Sequence, residues 1–363
     1  MGLMSLNVRH RPQHAITMEP MHIAAPLAHP PRRSLPLAPG GSAGATPPRT
    51  VRISLTDRCD LACVYCRPSR TDGYFEKRLE DEAWKTMIRA LLQAGVRRVR
   101  ITGGEPLLHP RVVELVRFVA SLGVEDLALT TNGTRLDKLA RPLRDAGLSR
   151  ITISIDSLVP ERFWRITRGG RLDRVMSGID AALHAGYEET KTNTVVLRGE
   201  NDDELETIAT WAWARGIVPR FIEVMRIGEG ANLPPEKLVG LAEMRSRLAA
   251  LLSDESGETH AGRGPAKYVR SRTDPKLRVG FITGTTDTYC GSCDRLRVAS
   301  DGTLRPCLAT NDGVAAMAPA NAGDIDGLVQ AIGDAWSLKP DGRTWKGCTE
   351  DSAADVSMRA IGG

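Results

Sequence analysis

A chain of 363 residues, 41% hydrophobic and 26% charged, is long enough to bury a large core and to divide into one large domain and a smaller one. No apolar run approaches the roughly 18 residues of a membrane span, which excludes a helical membrane protein. The net charge of +5 suits an anionic small ligand, but with no dense basic stripe it argues against nucleic acid as a partner.

Residues 1–48 stand apart from the rest. They are rich in Pro, Ala and Gly, hold Glu19 as their one acidic residue, and show no periodic apolar face. Such a stretch cannot bury enough surface to offset its ordering entropy and reads as a disordered extension. A start codon placed too early, with Met4, Met18 or Met21 as the later start, is an alternative. A targeting peptide is another, although the prolines oppose the amphipathic helix it would need.

From residue 50, short β-branched runs alternate with longer amphipathic segments. The pattern predicts strands over Val51–Thr56, Val96–Thr102, Asp126–Thr131, Ser149–Asp156, Lys191–Leu197 and Arg220–Met225. Between them it predicts helices over Asp81–Ala94, Val112–Leu122, Leu136–Ala146, Leu172–Ala185 and Asp203–Arg215. Most begin near an acidic residue and end at a glycine (Gly95, Gly123, Gly147, Gly186, Gly216), as helix ends prefer. Repeated βα units imply parallel strands with right-handed crossovers. Six are too few to close an eight-stranded barrel. The expected fold is therefore α/β, an open, partial six-stranded β/α barrel over residues 49–226. Beyond residue 235 the alternation fades into a polar, Gly-rich stretch, and a smaller C-terminal domain is expected over 227–363.

In parallel β/α folds the chemistry sits on the loops at the C-terminal ends of the strands. The unusual residues fall there: a cysteine loop after the first strand, Gly103-Gly104-Glu105-Pro106 after the second, and Thr131-Asn132-Gly133 after the third. Ser154 and Asp156 end the fourth, and Glu223 and Met225 end the sixth. Within the first loop Cys59, Cys63 and Cys66 stand in a C-x3-C-x2-C spacing. Three thiolates so close can hold three irons of a [4Fe–4S] cube and leave the fourth iron open. Structural zinc wants four ligands, and no histidine or fourth cysteine lies nearby.

Cys290, Cys293 and Cys307 form a second trio, brought together if the segments on either side of Asp301-Gly302 fold as a hairpin. A second cluster with an open iron is one reading, and a zinc ribbon completed by Cys348 or a histidine is the other. Six of the seven cysteines thus fall in two tight groups, a pattern of metal binding in a reducing cytoplasm rather than of secreted disulfides. Arg295 and Arg297, two apart in a predicted strand, leave one face beside the second trio, as suits gripping phosphate. Arg98 and Arg100 repeat the device, and Lys191 and Arg220 add charge near other strands.

The first cysteine loop, with Tyr65 before its last cysteine and the Gly-Gly-Glu-Pro strand end after it, resembles the radical S-adenosylmethionine superfamily. In that superfamily the methionine moiety chelates the open iron, and an electron from the cluster cleaves the sulfonium to a 5′-deoxyadenosyl radical. The added C-x2-C-x13-C trio with Arg295-Leu296-Arg297 is similar to one family within it, GTP 3′,8-cyclase, the first enzyme of molybdenum cofactor biosynthesis. The likeness runs from about Arg52 to Gly363, through Thr56–Cys59, Arg100–Leu107, Leu129–Gly133, Arg220–Glu223 and the ending Ser357–Gly363.

The resemblance implies two [4Fe–4S] clusters, one on Cys59, Cys63 and Cys66, the other on Cys290, Cys293 and Cys307. It implies contacts to S-adenosylmethionine from Tyr65, Gly104, Ser154 and Met225, with the backbone of residues 103–105 holding the amino group. It implies contacts to GTP from Arg52, Arg100, Thr130, Lys191, Arg295 and Arg297, with guanine on the open iron of the second cluster. The radical would take hydrogen from ribose C3′, and C3′ would attack guanine C8. The cyclised dihydro-GTP would pass to the cyclic pyranopterin monophosphate synthase. Gly362 and Gly363 would reach back into the barrel and serve the chemistry. An electron donor is also implied, its identity left open, and the chain would be a monomer or homodimer with no nucleic acid or membrane partner.

This sequence departs from the family at Arg67, where Met is usual after the third cysteine, and at Arg226, where Pro is common. Residues 230–265 follow no family pattern by eye. Two other functions compete. A radical enzyme acting on a peptide would use more cysteines than the four after residue 289 and has no call for the Arg295/Arg297 pair. A zinc- or iron-binding interaction protein would not need the loop Gly103–Pro106.

Overall fold

All six expected strands form. In the computed structural model, which describes residues 47–71, 73–253, 258–259, 264–341 and 358–361, they are β1 (Thr50–Ser54), β2 (Arg98–Thr102), β3 (Asp126–Thr131), β4 (Arg150–Ser154), β5 (Glu189–Val195) and β6 (Val218–Ile222). Each pairs in parallel with the next. The extension expected over 1–48 lies outside the described residues but for Pro47 and Pro48, as do Cys348, Gly362 and Gly363. The expected helices follow as α1 (Asp81–Gln93), α2 (Val112–Ser121), α3 (Leu136–Asp145), α5 (Leu172–Ala185) and α6 (Leu205–Trp213). Gly186 ends α5 at φ 71°, a left-handed turn that a side chain would resist.

Two differences have local causes. A short helix, α4 (Pro160–Thr167), intervenes between β4 and α5; it is one turn too short for its apolar period to stand out, and Pro160 starts it. Strand β6 begins at Val218, before the expected Arg220, because Pro219 sits near the strand's start, where a missing N–H is tolerated.

The segment after residue 226 adds strands to both edges of this sheet. Helix α7 (Leu241–Arg247) leads to β7 (Glu258–Thr259), β8 (Lys267–Arg270) and β9 (Arg278–Ile282). Then come β10 (Arg295–Val298), β11 (Thr303–Arg305) and β12 (Val314–Ala315), followed by α8 (Met317–Ala322), α9 (Ile325–Ser337) and α10 (Met358–Ile361). The order across the sheet is β12-β11-β10-β1-β2-β3-β4-β5-β6-β9-β8-β7, with two free ends. Because β10 joins β1 and β9 joins β6 in parallel, the six-stranded run extends to eight parallel strands without closing.

Alternation along each strand separates two faces. Val51, Ile53, Val99, Ile101, Leu127, Leu129, Ile151 and Ile153 are buried in one core with Trp84, Met87 and Leu91 of α1 and with Leu328 and Ile332 of α9. The other set carries the charge, and its side chains reach across intervening strands: Arg220 of β6 to Thr152 of β4 (3.1 Å), and Lys191 of β5 to Tyr268 of β8 (3.2 Å). Neighbouring strands lie about 4.8 Å apart, so such reaches mark the concave side of a curled sheet.

At the N-terminal ends of the strands this inner face is closed by ion pairs. Asp294 accepts from Arg98 (2.5 Å) and Thr50, Asp126 accepts from both Arg100 and Arg150, and Glu189 pairs with Arg150 (3.3 Å), Lys191 (2.9 Å) and Arg278 (2.9 Å). The site is therefore open toward the C-terminal ends.

Candidate functional site

Three loops at the ends of β1, β2 and β3 are knitted into one surface. Gly104 N–H donates to the Thr56 carbonyl (2.6 Å) and Glu105 N–H to the Arg58 carbonyl (2.7 Å), strapping the Gly-Gly-Glu-Pro loop to the cysteine loop. A Cβ on Gly104 would stand 2.3 Å from the Arg58 oxygen, and one on Gly103 2.4 Å from that of Thr56, so both positions demand glycine. An ammonium held by this loop donates, so it would bind the loop's carbonyl oxygens. Buried Glu105 accepts from Leu107 N (2.9 Å), Thr131 Oγ1 (2.7 Å) and Asn132 N (2.7 Å). Asp60 accepts from Asn132 Nδ2 and Thr134 Oγ1, each at 2.7 Å.

Cys59, Cys63 and Cys66 all lie half-buried on this surface. Burial pushes the Cys59 and Cys63 thiols well up, with Glu105 and Asp156 respectively adding to it and the neighbouring cysteines contributing. Leu61 N–H donates to Cys59 Sγ (3.4 Å). Buried thiols that raise one another's pKa ionise once cationic metal lies among them, and N–H bonds to sulfur are the usual environment of a cluster. The donor set fits a [4Fe–4S] cluster with one open iron. Among the described residues no three His, Cys, Asp or Glu side chains converge as on a single metal ion.

Tyr65 donates to Asp156 (2.6 Å), whose other oxygen accepts from Val195 N (2.9 Å); burial raises the Asp156 carboxyl to about 6. Ser154 is half-buried on the inner face, in register with Asn193 of β5. Met225 packs where Gly284 has no side chain and receives the Tyr289 hydroxyl at 3.5 Å from its sulfur.

The second trio assembles as the spacing predicted. Strands β10 and β11 pair antiparallel about Asp301-Gly302, with Gly302 at φ 82° and Thr303 N–H on Asp301 Oδ1 (2.9 Å). Cys290, Cys293 and Cys307 are free and close enough for the other two to raise the Cys290 thiol beyond its burial. Cys293 differs. Burial pushes it up, but Arg295 and Lys339 more than offset this and hold it at about 7. Arg295 Nε donates to its sulfur (3.3 Å), and Lys339 bonds the carbonyls of Arg295 (2.9 Å) and Pro306 (2.8 Å).

Between the two trios the inner face is strongly cationic. Arg52 is half-buried and held well below the usual guanidinium range by desolvation, then by Arg297 and Arg295, with Arg220 adding to them. Arg297 is lowered by burial and by Arg295. Arg220 and Arg297 are buried and Arg52 and Arg295 half-buried, four guanidinium groups whose mutual repulsion an anion among them would relieve. Arg220 Nε and Asn193 Oδ1, on residues in register, are buried and lack a hydrogen-bond partner, as expected of atoms aimed at a ligand. Thr130 faces the same side, in register with Thr152. Arg100 and Lys191 lie lower, engaged by Asp126 and Glu189, so their charge is partly answered within the protein. Arg297 also donates to the Ile361 carbonyl (3.2 Å), which docks the last described helix against this pocket.

Sequence reasoning missed Tyr268, Tyr289, Asn193 and Lys339. Tyr289 precedes Cys290 and stacks under Arg295 at 4.6 Å, so its place beside the cysteine was a usable signal. Tyr268 and Lys339 had none, since long-range packing brings them in.

The chain matches the Radical SAM superfamily over residues 53–212 and the Molybdenum Cofactor Synthesis C family over residues 217–345. It is 42% identical over 301 residues to GTP 3′,8-cyclase 1 of Pseudomonas aeruginosa, covering 80% of this chain and 89% of that one. It is 41% identical to GTP 3′,8-cyclase of Pelotomaculum thermopropionicum, covering 80% and 91%. Among solved structures it superposes on Streptococcus suis SuiB bound to precursor peptide SuiA with a TM-score of 0.58 at 15% identity. That match covers 82% of this chain and 66% of SuiB, and speaks to the fold alone.

Proposed function

The chain belongs to the GTP 3′,8-cyclase family of radical S-adenosylmethionine enzymes, and from that premise we propose how its inner face performs the reaction. It converts GTP to (8S)-3′,8-cyclo-7,8-dihydroguanosine 5′-triphosphate, the first step of molybdenum cofactor biosynthesis, by hydrogen abstraction from ribose C3′. Cys59, Cys63 and Cys66 would hold a [4Fe–4S] cluster, and that group would supply the electron for reductive cleavage of S-adenosylmethionine.

Tyr65, Gly104, Ser154 and Met225 bind S-adenosylmethionine around that loop, with carbonyls of the Gly103–Glu105 segment accepting from its ammonium. Arg52, Arg295 and Arg297 grip the triphosphate, joined by Arg220 and, from the ion-paired layer, by Arg100 and Lys191; Thr130 completes the contacts. Guanidinium forks match phosphate oxygens, and each charged hydrogen bond is worth roughly 1.5–3 kcal/mol. Cys290, Cys293 and Cys307 hold a second [4Fe–4S] cluster that would orient guanine, supported by the hairpin that gathers them and by the lowered Cys293 thiol. Arg297 holds the Ile361 carbonyl at the pocket, which supports a part in the chemistry for Gly362 and Gly363, residues outside those described. The product goes on to the cyclic pyranopterin monophosphate synthase, and the free thiols suit a reducing cytoplasm.

One observation carries the assignment of substrate: four clustered guanidinium groups, Arg220 and Arg297 buried and Arg52 and Arg295 half-buried, with Arg220 Nε and Asn193 Oδ1 lacking partners. Reduced protein should form 5′-deoxyadenosine and a cyclised nucleotide from GTP, and neither at comparable rate from ATP. Equal turnover of both would remove the guanine-specific reading.

A further inference from the structure

A groove of about 620 Å³ opens to the surface beside the first cysteine loop, bounded by Val64, Arg70, Trp164, Arg165, Arg168 and Glu200. Val64 lies between Cys63 and Cys66, and its N–H donates to the Ile166 carbonyl (3.0 Å) while Ala62 N–H donates to that of Thr167 (3.2 Å). The cluster loop, through Val64, and α4, through Trp164 to Ile166, thus meet in this groove.

Its rim is built unusually. Trp164 is 59% exposed, the most exposed large hydrophobic residue among those described. Arg168 is the one non-glycine residue among them with positive φ, at 52°. Left-handed backbone is strained at such a residue, and cross-bracing holds it there. Arg168 donates to the carbonyls of Arg67 and Pro68 (2.7 Å each), and Arg70 donates back to the Arg168 carbonyl (2.9 and 2.5 Å). These acceptors are neutral, so both charges stand in full. The one carboxylate of the rim, Glu200, is shared by Arg165 (3.3 Å) and Lys237 (2.9 Å).

We propose that this groove docks an acidic one-electron carrier protein that reduces the cluster on Cys59, Cys63 and Cys66, an inference that rests on the radical reading of that loop. On that reading S-adenosylmethionine and GTP occupy the inner face, so the electron enters from outside it, and here Val64, next to Cys63 in the cluster loop, lines the groove. The carrier gives up one electron and the cluster gains it; no atom or proton is exchanged. Exposed Trp and Arg are the residue types that dominate protein interfaces, and unanswered arginines steer an acidic partner. A small anion would need converging buried donors, whereas Trp164 and Arg165 face solvent.

The test uses the reconstituted holoprotein and reduced flavodoxin, an acidic flavoprotein, with cluster reduction followed by rapid-mixing absorbance. Trp164→Ala and Arg165→Glu should each slow reduction by flavodoxin about tenfold or more, and added salt should slow the parent. Dithionite, which needs no docking face, should reduce parent and variants alike, with equal iron content. The proposal is overturned if the variants accept electrons from flavodoxin at the parent rate, or if flavodoxin fails to reduce a parent that dithionite reduces. It is also overturned if the variants turn a dimer into monomers in sedimentation, which would give the groove to a second copy of this chain. A parent that dithionite cannot reduce would sink the radical reading, and the docking face with it.

Discussion

The Tyr65 hydroxyl donates a 2.6 Å hydrogen bond to Asp156, tying the residue before the last cysteine of the first loop to the segment just beyond β4. Asp156 is 3% exposed, so Tyr65→Phe takes one donor from a buried carboxyl that keeps the Val195 N–H. The expected loss is about 1–3 kcal/mol, read as a lower melting temperature together with faster loss of iron to a chelator. Unchanged values for both would mean that the pair does not brace the loop.

Arg297 and Ile361 set the second expectation. Their 3.2 Å bond holds Ile361 at the pocket, and on the proposed role of the tail, deleting Gly362 and Gly363 should leave iron content intact and abolish cyclisation. A truncated protein that cyclises GTP at the parent rate would contradict a role for the tail.

Arg52 stands among three other guanidinium groups, where its planar fork matters as much as its charge. Arg52→Lys should weaken GTP binding about tenfold or more, the effect of one lost charged hydrogen bond, with S-adenosylmethionine affinity unchanged. Equal weakening of both ligands would place Arg52 outside the phosphate site.

Asp126 gives a pH dependence. Burial pushes its carboxyl up, but Arg100 and Arg150 more than offset this and hold it below the ordinary range. A carboxyl depressed in the folded state adds stability that is complete above its unfolded value, about 3.9, and lost as pH falls through the lower folded one. Asp126→Asn should lower the urea midpoint at neutral pH and flatten its decline below about pH 4. A decline as steep as the parent's would assign acid sensitivity elsewhere.

Much of this was legible because strands alternate: Arg295 and Arg297, or Arg98 and Arg100, share a face wherever they form strands. The loops were legible for the same topological reason, since βα order alone places Gly103–Pro106 and Thr131–Gly133 beside Cys59. What escaped depends on register between distant strands. Nothing local says that Arg98 meets Asp294, 196 residues on, or that Arg100 and Lys191 are answered by Asp126 and Glu189. Nor does it say that β8 and β9 return to the β6 edge and bring Tyr268 to Lys191.

The most direct test is the metal content of protein purified and reconstituted without air, beside a variant with Cys290, Cys293 and Cys307 all changed to Ala. Two clusters predict about eight irons per chain in the parent and about four in the variant, with S-adenosylmethionine cleavage retained and GTP cyclisation lost. A parent holding about four irons and one zinc, its iron unchanged in the variant, would contradict the account.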